Sequence, residues 1–351
     1  MKYGKTYCCK NEKGEDIYLF ALRNDKDTEV LISNYGAIIT SFKIKNSNGD
    51  FTDIVLGFEK TDNYFDEKYR KQYPYFGAAI GRYANRIKNA EIEIDGEKFL
   101  LSKNNGSSQL HGGFQGFDSK VWEVLSFDDE RQSKLEFKYI SKDGEEGFPG
   151  NLEVVIHFEL TEDNELIYEY TATTDKPTAV NLTHHSYFNL NNGEGNMLDH
   201  VLTINANKIL EQDESLTTNG KILNVRNTKF DFRTPTAITD KIDKSTGFDQ
   251  SFVIDKTIDG LNLAATVYSP KTKFQLQVFT TEPVVHFYTG QGIPKTIGKH
   301  QILYGPYSGL CLETQVHPNA INVPSFPSTI LQPGETYHQK TVYKVSLPEE
   351  K

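Results

Sequence analysis

Hydrophobic and polar positions alternate one by one along most of the chain, the period of a strand with one face on a core. The clearest local pattern spans 91–101, where two alternating runs flank Asp95-Gly96. That pair tolerates the positive φ of a type I′ turn and predicts a hairpin. Further hairpins are predicted over 121–141, 151–174, 262–280 and 274–290, with a closing strand near 336–347. Two short strands are expected in 30–45 around Asn34-Tyr-Gly, and another in 51–58. The charged, aromatic stretch 59–73 reads as a helical turn or a long loop. No window of twelve residues carries the i, i+3, i+4 spacing of a packed helix. The 26 glycines and 13 prolines are scattered as turn punctuation and mark no linker. The pattern therefore predicts one all-β domain over 1–351, a large antiparallel β-sandwich of stacked sheets.

Composition acts mainly by exclusion. A formal charge of −10 argues against nucleic acid, whose phosphates call for a basic surface. Three cysteines, Cys8, Cys9 and Cys311, form no disulfide framework and fit a reducing compartment. The opening Met-Lys-Tyr-Gly-Lys-Thr lacks the apolar run of a secretory leader, and no run approaches the ~18 apolar residues of a membrane span. A cytoplasmic protein without membrane partners is the expectation.

Several segments break the alternation with polar residues. In 181–190, Asn-Leu-Thr-His-His-Ser-Tyr-Phe-Asn-Leu, two adjacent imidazoles must face opposite ways in an extended chain, so one can line a pocket while the other packs. In 310–315, alternation sets Glu313 on the face of Cys311 and Gln315, opposite Leu310, Leu312 and Thr314. A carboxylate in so apolar a strand must be paired or functional. Arg82 and Arg86 read either as solvated strand-edge residues or as a guanidinium fork for a ligand. His111 precedes two glycines that allow close backbone approach, Asp249 and Gln250 lie between phenylalanines, and His286 sits in an aromatic run that lines a site or only packs. Glu282, beside Pro283, reads as an ordinary turn residue. No HExxH, CxxC pair, phosphate loop or GxSxG elbow occurs. This inventory fits acid–base chemistry on a polyhydroxylated substrate, with no metal and no cofactor.

With these segments assembled, the chain resembles the aldose 1-epimerase family, the galactose mutarotases. The matching pieces are GRYANRI at 81–87, LHGG at 110–113, EEGFPGNL at 145–152, NLTHHSYFNL at 181–190, GFDQSF at 247–252 and LETQ at 312–315, followed by NVPSFPST at 322–329. The resemblance implies a β-supersandwich and interconversion of the α and β anomers of free aldoses such as glucose and galactose. It implies Glu313 as general base, His185 as general acid at the ring oxygen, and His111 as a partner on the ring-oxygen side. Arg86, Asn85 and Asp249 would bind hydroxyls, and His286 would line the sugar site. Two positions depart from the pattern: His184 and His286 stand where many relatives carry Asn and Gln. The expected partner is a small aldose, and the chain is expected to act as a monomer or homodimer. Alternatives are a non-catalytic sugar-binding or sensing protein of the same fold, a glycoside hydrolase using Glu313 and Asp249, and a mutarotase for phosphorylated hexoses.

Overall fold

The computed structural model describes residues 4–46, 48–128, 130–257 and 260–347. Residues 1–3, part of the opening stretch read for a leader, lie outside them. Alternation translates directly into sheets. In Leu152–Leu160 every second side chain, from Leu152 through Val154, Ile156 and Phe158 to Leu160, is buried, and the neighbouring Glu165–Thr174 strand does the same. Each fully buried Leu, Ile or Phe contributes roughly 1.5–3 kcal/mol relative to exposure, so the period is energetically enforced.

These strands belong to a nine-stranded antiparallel sheet. Its spatial order is Glu123–Phe127, Lys134–Ser141, Leu152–Leu160, Glu165–Thr174, Tyr337–Ser346, Gln275–Thr280, Asn262–Tyr268, Val201–Ile204 and Thr236–Ala237. A five-stranded meander, from Lys5–Lys10 to Phe51–Asp53, and a second five-stranded sheet complete the large layers. The second runs Thr218–Asn224, Lys208–Gln212, Asp249–Val253, Val284–Tyr288 and Cys311–Gln315. One continuous core draws Phe20, Ile32 and Phe42 from the meander, Phe137, Ile156 and Val278 from the large sheet, and Phe252, Phe287 and Leu312 from the second. The arrangement is an all-β sandwich, as the alternation predicts.

Asp95 and Gly96 both take positive φ in the predicted hairpin, and Tyr337–Ser346 is the predicted closing strand. The stretch 59–73 carries a 3-10 turn, Thr61–Tyr64, and a short α-helix, Glu67–Lys71. No helix among the described residues is long and apolar enough to cross a membrane. One predicted hairpin is wrong. Gln275–Thr280 and Val284–Tyr288 do not pair; the first lies between Asn262–Tyr268 and Tyr337–Ser346, the second between Asp249–Val253 and Cys311–Gln315. Thr281 to Pro283 thus carry the chain from one sheet to the other, and Glu282 is buried at that crossing. Alternation specifies which face a residue takes and leaves its strand's partners open.

Candidate active site

Three adjacent strands of the second five-stranded sheet form the floor of a cleft. Their register aligns Ser251 with His286 and His286 with Glu313, while Asp249 aligns with Tyr288 and Tyr288 with Cys311. Side chains paired across antiparallel strands share a face, so all six project to one side. The intervening Phe252, Val285, Phe287 and Leu312 point into the core and anchor the floor. Tyr73, Tyr75, Asn85, Arg86, Leu110, His111, His185 and Tyr187 close a cleft of about 150 Å³ over Asp249, His286, Tyr288 and Glu313. Every residue expected at the site therefore lines one cleft: Glu313, His185, His111, Arg86, Asn85, Asp249 and His286.

His185 enters from the 181–190 stretch. Backbone bonds between His185 and Ala78 and between Gly77 and His185 hold this segment to 77–80. Its ring stacks between Tyr187 at 5.0 Å and Tyr75 at 5.7 Å, each inclined by 28°. Nε2 lies 3.6 Å from Glu313 Oε1, and Nδ1 lies 3.4 Å from the Cys311 thiol. Burial lowers the His185 pKa, against the opposing pull of the Glu313 charge. Glu313 is 1% exposed, and its Oε2 has no hydrogen-bond partner among the described residues. An unpartnered buried carboxylate oxygen is costly unless something else uses it. His184 faces the other way, its Nδ1 3.2 Å from the Tyr170 hydroxyl and its ring against Tyr168 and Phe158. There burial pulls its pKa down to about 3, which makes it a neutral packing residue.

His111 is set by a reciprocal pair with Asn85: its amide donates to the Asn85 carbonyl, and its Nδ1 accepts from the Asn85 amide at 3.2 Å. An accepting Nδ1 leaves the ring proton on Nε2. Burial, then the nearby His185, Arg86 and His286, hold its pKa well below the usual histidine value. His111 is therefore a neutral N–H donor. Gly112 makes the loop possible, with φ of +83° and a position where a Cβ would sit 2.0 Å from the Gly81 carbonyl oxygen. The ligating atoms of His111, His185 and Glu313 lie within 4.8 Å of one another, close enough to suggest a metal centre. The tautomer opposes one, because a metal-bound histidine donates from its other nitrogen and His111 accepts there.

Asp249 and His286 form the second charged pair, Nε2 to Oδ1 at 2.7 Å, and the Ser251 hydroxyl meets His286 Nδ1 at 2.8 Å. The other Asp249 oxygen lies 4.0 Å from Arg86 Nη2, and Arg86 Nε donates to Asn105. Burial would raise the Asp249 pKa, but His286, Arg86 and His185 outweigh it and keep the group a carboxylate.

Arg82 fits neither expected reading. At 1% exposure it is no solvated edge residue, and it does not line the cleft. Its guanidinium donates to the carbonyls of Ser141, Lys142, Pro149 and Gly150 and to the hydroxyls of Ser141 and Thr178. It binds the 81–87 segment to the 145–152 segment as a structural cross-link. Tyr75 and Tyr187, which clamp His185, were not singled out in the sequence. Tyr187, two residues from His185, could have been found by alternation, whereas Tyr75 takes a positive φ that no periodicity signals.

A buried carboxylate and imidazole facing one another, with neutral and charged donors around them, can exchange protons with a small polar molecule held in the cleft. The family model of aldose 1-epimerase matches residues 18–344. Galactose mutarotase of Sus scrofa is 39% identical over 334 residues, covering 93% of this chain and 94% of that protein. Aldose 1-epimerase of Escherichia coli strain K12 is 37% identical over 339 residues, covering 94% and 96%. Among solved structures, the GalM/aldose epimerase homologue from C. elegans superimposes with a TM-score of 0.87 at 29% identity, covering 94% of this chain and 98% of that one. Galactose 1-epimerase from Lactobacillus acidophilus gives 0.84 at 26% identity, with 99% of each chain covered. The chain belongs to the aldose 1-epimerase family and is an isomerase of that class.

Proposed function

We propose that this protein interconverts the α and β anomers of free aldohexoses such as glucose and galactose, with Glu313 as base and His185 as acid. The observation that carries the reading is the buried Glu313 Oε1–His185 Nε2 pair, 3.6 Å apart in the cleft. Glu313 removes the proton of the anomeric hydroxyl while protonated His185 gives its Nε2 proton to the ring oxygen. The C1–O5 bond breaks and the C1–O1 bond becomes a carbonyl. One proton is taken and one given, so charge balances and no cofactor or metal is required. Rotation about C1–C2 and closure with the roles reversed deliver the other anomer and restore both groups. His111, a neutral Nε2–H donor, assists at the oxygen that gains the proton. Asn85, Arg86 and Asp249 hold hydroxyls.

The ionisable groups Arg86 and His286 against Asp249 and Glu313 favour an uncharged sugar over a phosphorylated one. Asp249, kept as a carboxylate by burial-opposing partners, cannot serve as the protonated acid of a glycoside hydrolase. A sugar-binding protein without catalysis has no use for a carboxylate and imidazole aimed at each other. The same proposal includes a single-domain cytoplasmic enzyme, monomeric or homodimeric, without nucleic-acid or membrane partners.

Polarimetry of freshly dissolved α-glucose and α-galactose is the direct test. The protein should accelerate the decay of rotation for at least one of them. Glu313→Gln and His185→Asn should each slow it by ~10²–10⁴-fold with circular dichroism unchanged. Near-normal rates in either variant would remove that residue from its role.

A further inference from the structure

We infer that His286 is a positioning residue: the chain Ser251–His286–Asp249 engages both imidazole nitrogens and leaves Asp249 Oδ2 as the sugar-facing acceptor. The inference rests on the anomerisation reading and deepens it. It reassigns His286, which lines the cleft but has no ring nitrogen left for a hydroxyl.

The strand register makes the geometry specific. Ser251 pairs directly with His286, which pairs directly with Glu313, and Asp249 lies two residues from Ser251 on the same face. The ring therefore lies flanked by protein on both polar edges, at 2.8 Å to Ser251 Oγ and 2.7 Å to Asp249 Oδ1. The sequence of groups resembles a hydrolytic serine–histidine–aspartate chain, but it cannot act as one. Ser251 is 0% exposed and does not line the cleft, so its hydroxyl meets no substrate. What the chain does is remove one of Asp249's two rotational alternatives. With Oδ1 bound to the ring, Oδ2 turns toward Arg86 Nη2 at 4.0 Å, and the two polar groups frame a hydroxyl position between acceptor and donor.

Protonation governs this device. An imidazolium donates from both nitrogens, to Oδ1 and to the Ser251 hydroxyl, whereas a neutral ring must give up donation from one of them. The charged groups around it are Asp249 on one neighbouring strand, Glu313 on the other, Arg86 above, and the imidazoles of His111 and His185. Burial disfavours the imidazolium, but Asp249 and then Glu313 outweigh it and raise the pKa above the usual histidine value. The doubly donating form thus persists to higher pH than in an ordinary histidine and is lost as pH rises past that raised value. Above it the ring keeps Nε2–H on Asp249 by accepting from the Ser251 hydroxyl at Nδ1, so that contact loses its charge assistance and sugar binding weakens modestly, separately from the proton step at His185.

The experiment is the pH dependence of KM and kcat for mutarotation in the wild type, His286→Ala and His286→Gln. His286→Ala should raise KM about tenfold or more at neutral pH, the scale of a hydrogen bond to a charged group, with a smaller change in kcat. His286→Gln, which can still donate to Asp249, should recover much of that loss and should abolish the alkaline rise in KM. Ring ¹⁵N spectra of the wild type taken across pH should show one histidine that keeps both ring protons to higher pH than an ordinary histidine, absent from His286→Gln. Wild-type activity with KM and its pH profile unchanged in both variants, or a His286 ring that loses its second proton at or below the usual histidine pH, would overturn the inference while leaving anomerisation standing. A wild type inactive on every aldose would overturn both. Because the spectra read the ring directly, poor folding of His286→Ala does not shield the proposal.

Discussion

The protonation of His185, 3.6 Å from Glu313, decides the chemistry at the scale of single residues. The acid role needs His185 charged, and the sandwich of Tyr75 and Tyr187 withdraws it from water. Burial lowers its pKa below the ordinary value, with Glu313 opposing. The protonated fraction shrinks as pH rises, so kcat/KM should decline steadily with increasing pH across the neutral range. A profile flat to pH 9 would mean that His185 donates only a hydrogen bond. The Cys311 thiol, its own pKa pushed up by burial, keeps its proton and meets Nδ1 at 3.4 Å. That contact favours the tautomer with the proton on Nε2, the nitrogen facing Glu313.

At the scale of elements, the site is a strand register plus two clamped loops. Asp249, His286 and Glu313 come from three strands whose order in the sheet is fixed by pairing, while His185 and His111 are delivered by loops bonded to 77–86. Arg82 ties that same 81–87 segment to Ser141, Pro149 and Gly150. Among the described residues its charge reaches a carboxylate indirectly, through the Ser141 hydroxyl that donates to Glu145. Arg82→Met would take this donor from the buried carbonyls of Ser141, Pro149 and Gly150 and should cost roughly 3–5 kcal/mol, read as a lower urea midpoint. Activity per folded molecule should fall as well, because Asn85 and Arg86 follow directly in the chain. Arg82→Lys would not rescue it, since a single ammonium cannot span partners that a planar fork reaches.

For the molecule as a whole, buried titratable groups outside the cleft set how stability depends on pH. His184 and His317 have folded pKa values of about 3 and about 4, both lowered by burial. Below the unfolded value near 6.5 the unfolded chain takes up protons that the folded chain refuses. Their contribution is therefore complete above that pH and is lost on acidification toward 4 and 3, at roughly 1.4 kcal/mol per unit of difference. His184→Asn should flatten the slope of unfolding free energy between pH 6.5 and 4. Glu282 has the opposite sign: burial at the crossing between sheets raises its pKa to about 8, and one of its oxygens has no partner among the described residues. The unfolded carboxyl ionises from about 4.5 upward while the folded one does not, so stability is lost as pH climbs toward 8. Glu282→Gln should consequently have a higher Tm than the wild type at pH 8, with the advantage gone at pH 5.

Alternation by itself determined many of the strands, the face of Glu313, the opposition of the two adjacent histidines and the all-β class, because a period of two is local and is enforced by burial residue by residue. Motifs spread along the chain named the cleft's polar groups and the family. Which strands pair was not local information, and the 274–290 hairpin failed for that reason: pairing is chosen by the whole sheet. Only the tertiary structure decided that Arg82 cross-links rather than binds, that Glu282 is buried, and that Tyr75 stacks on His185. It also decided that both nitrogens of His286 are spoken for. Each of these depends on what arrives from a distant segment, through space and not through spacing.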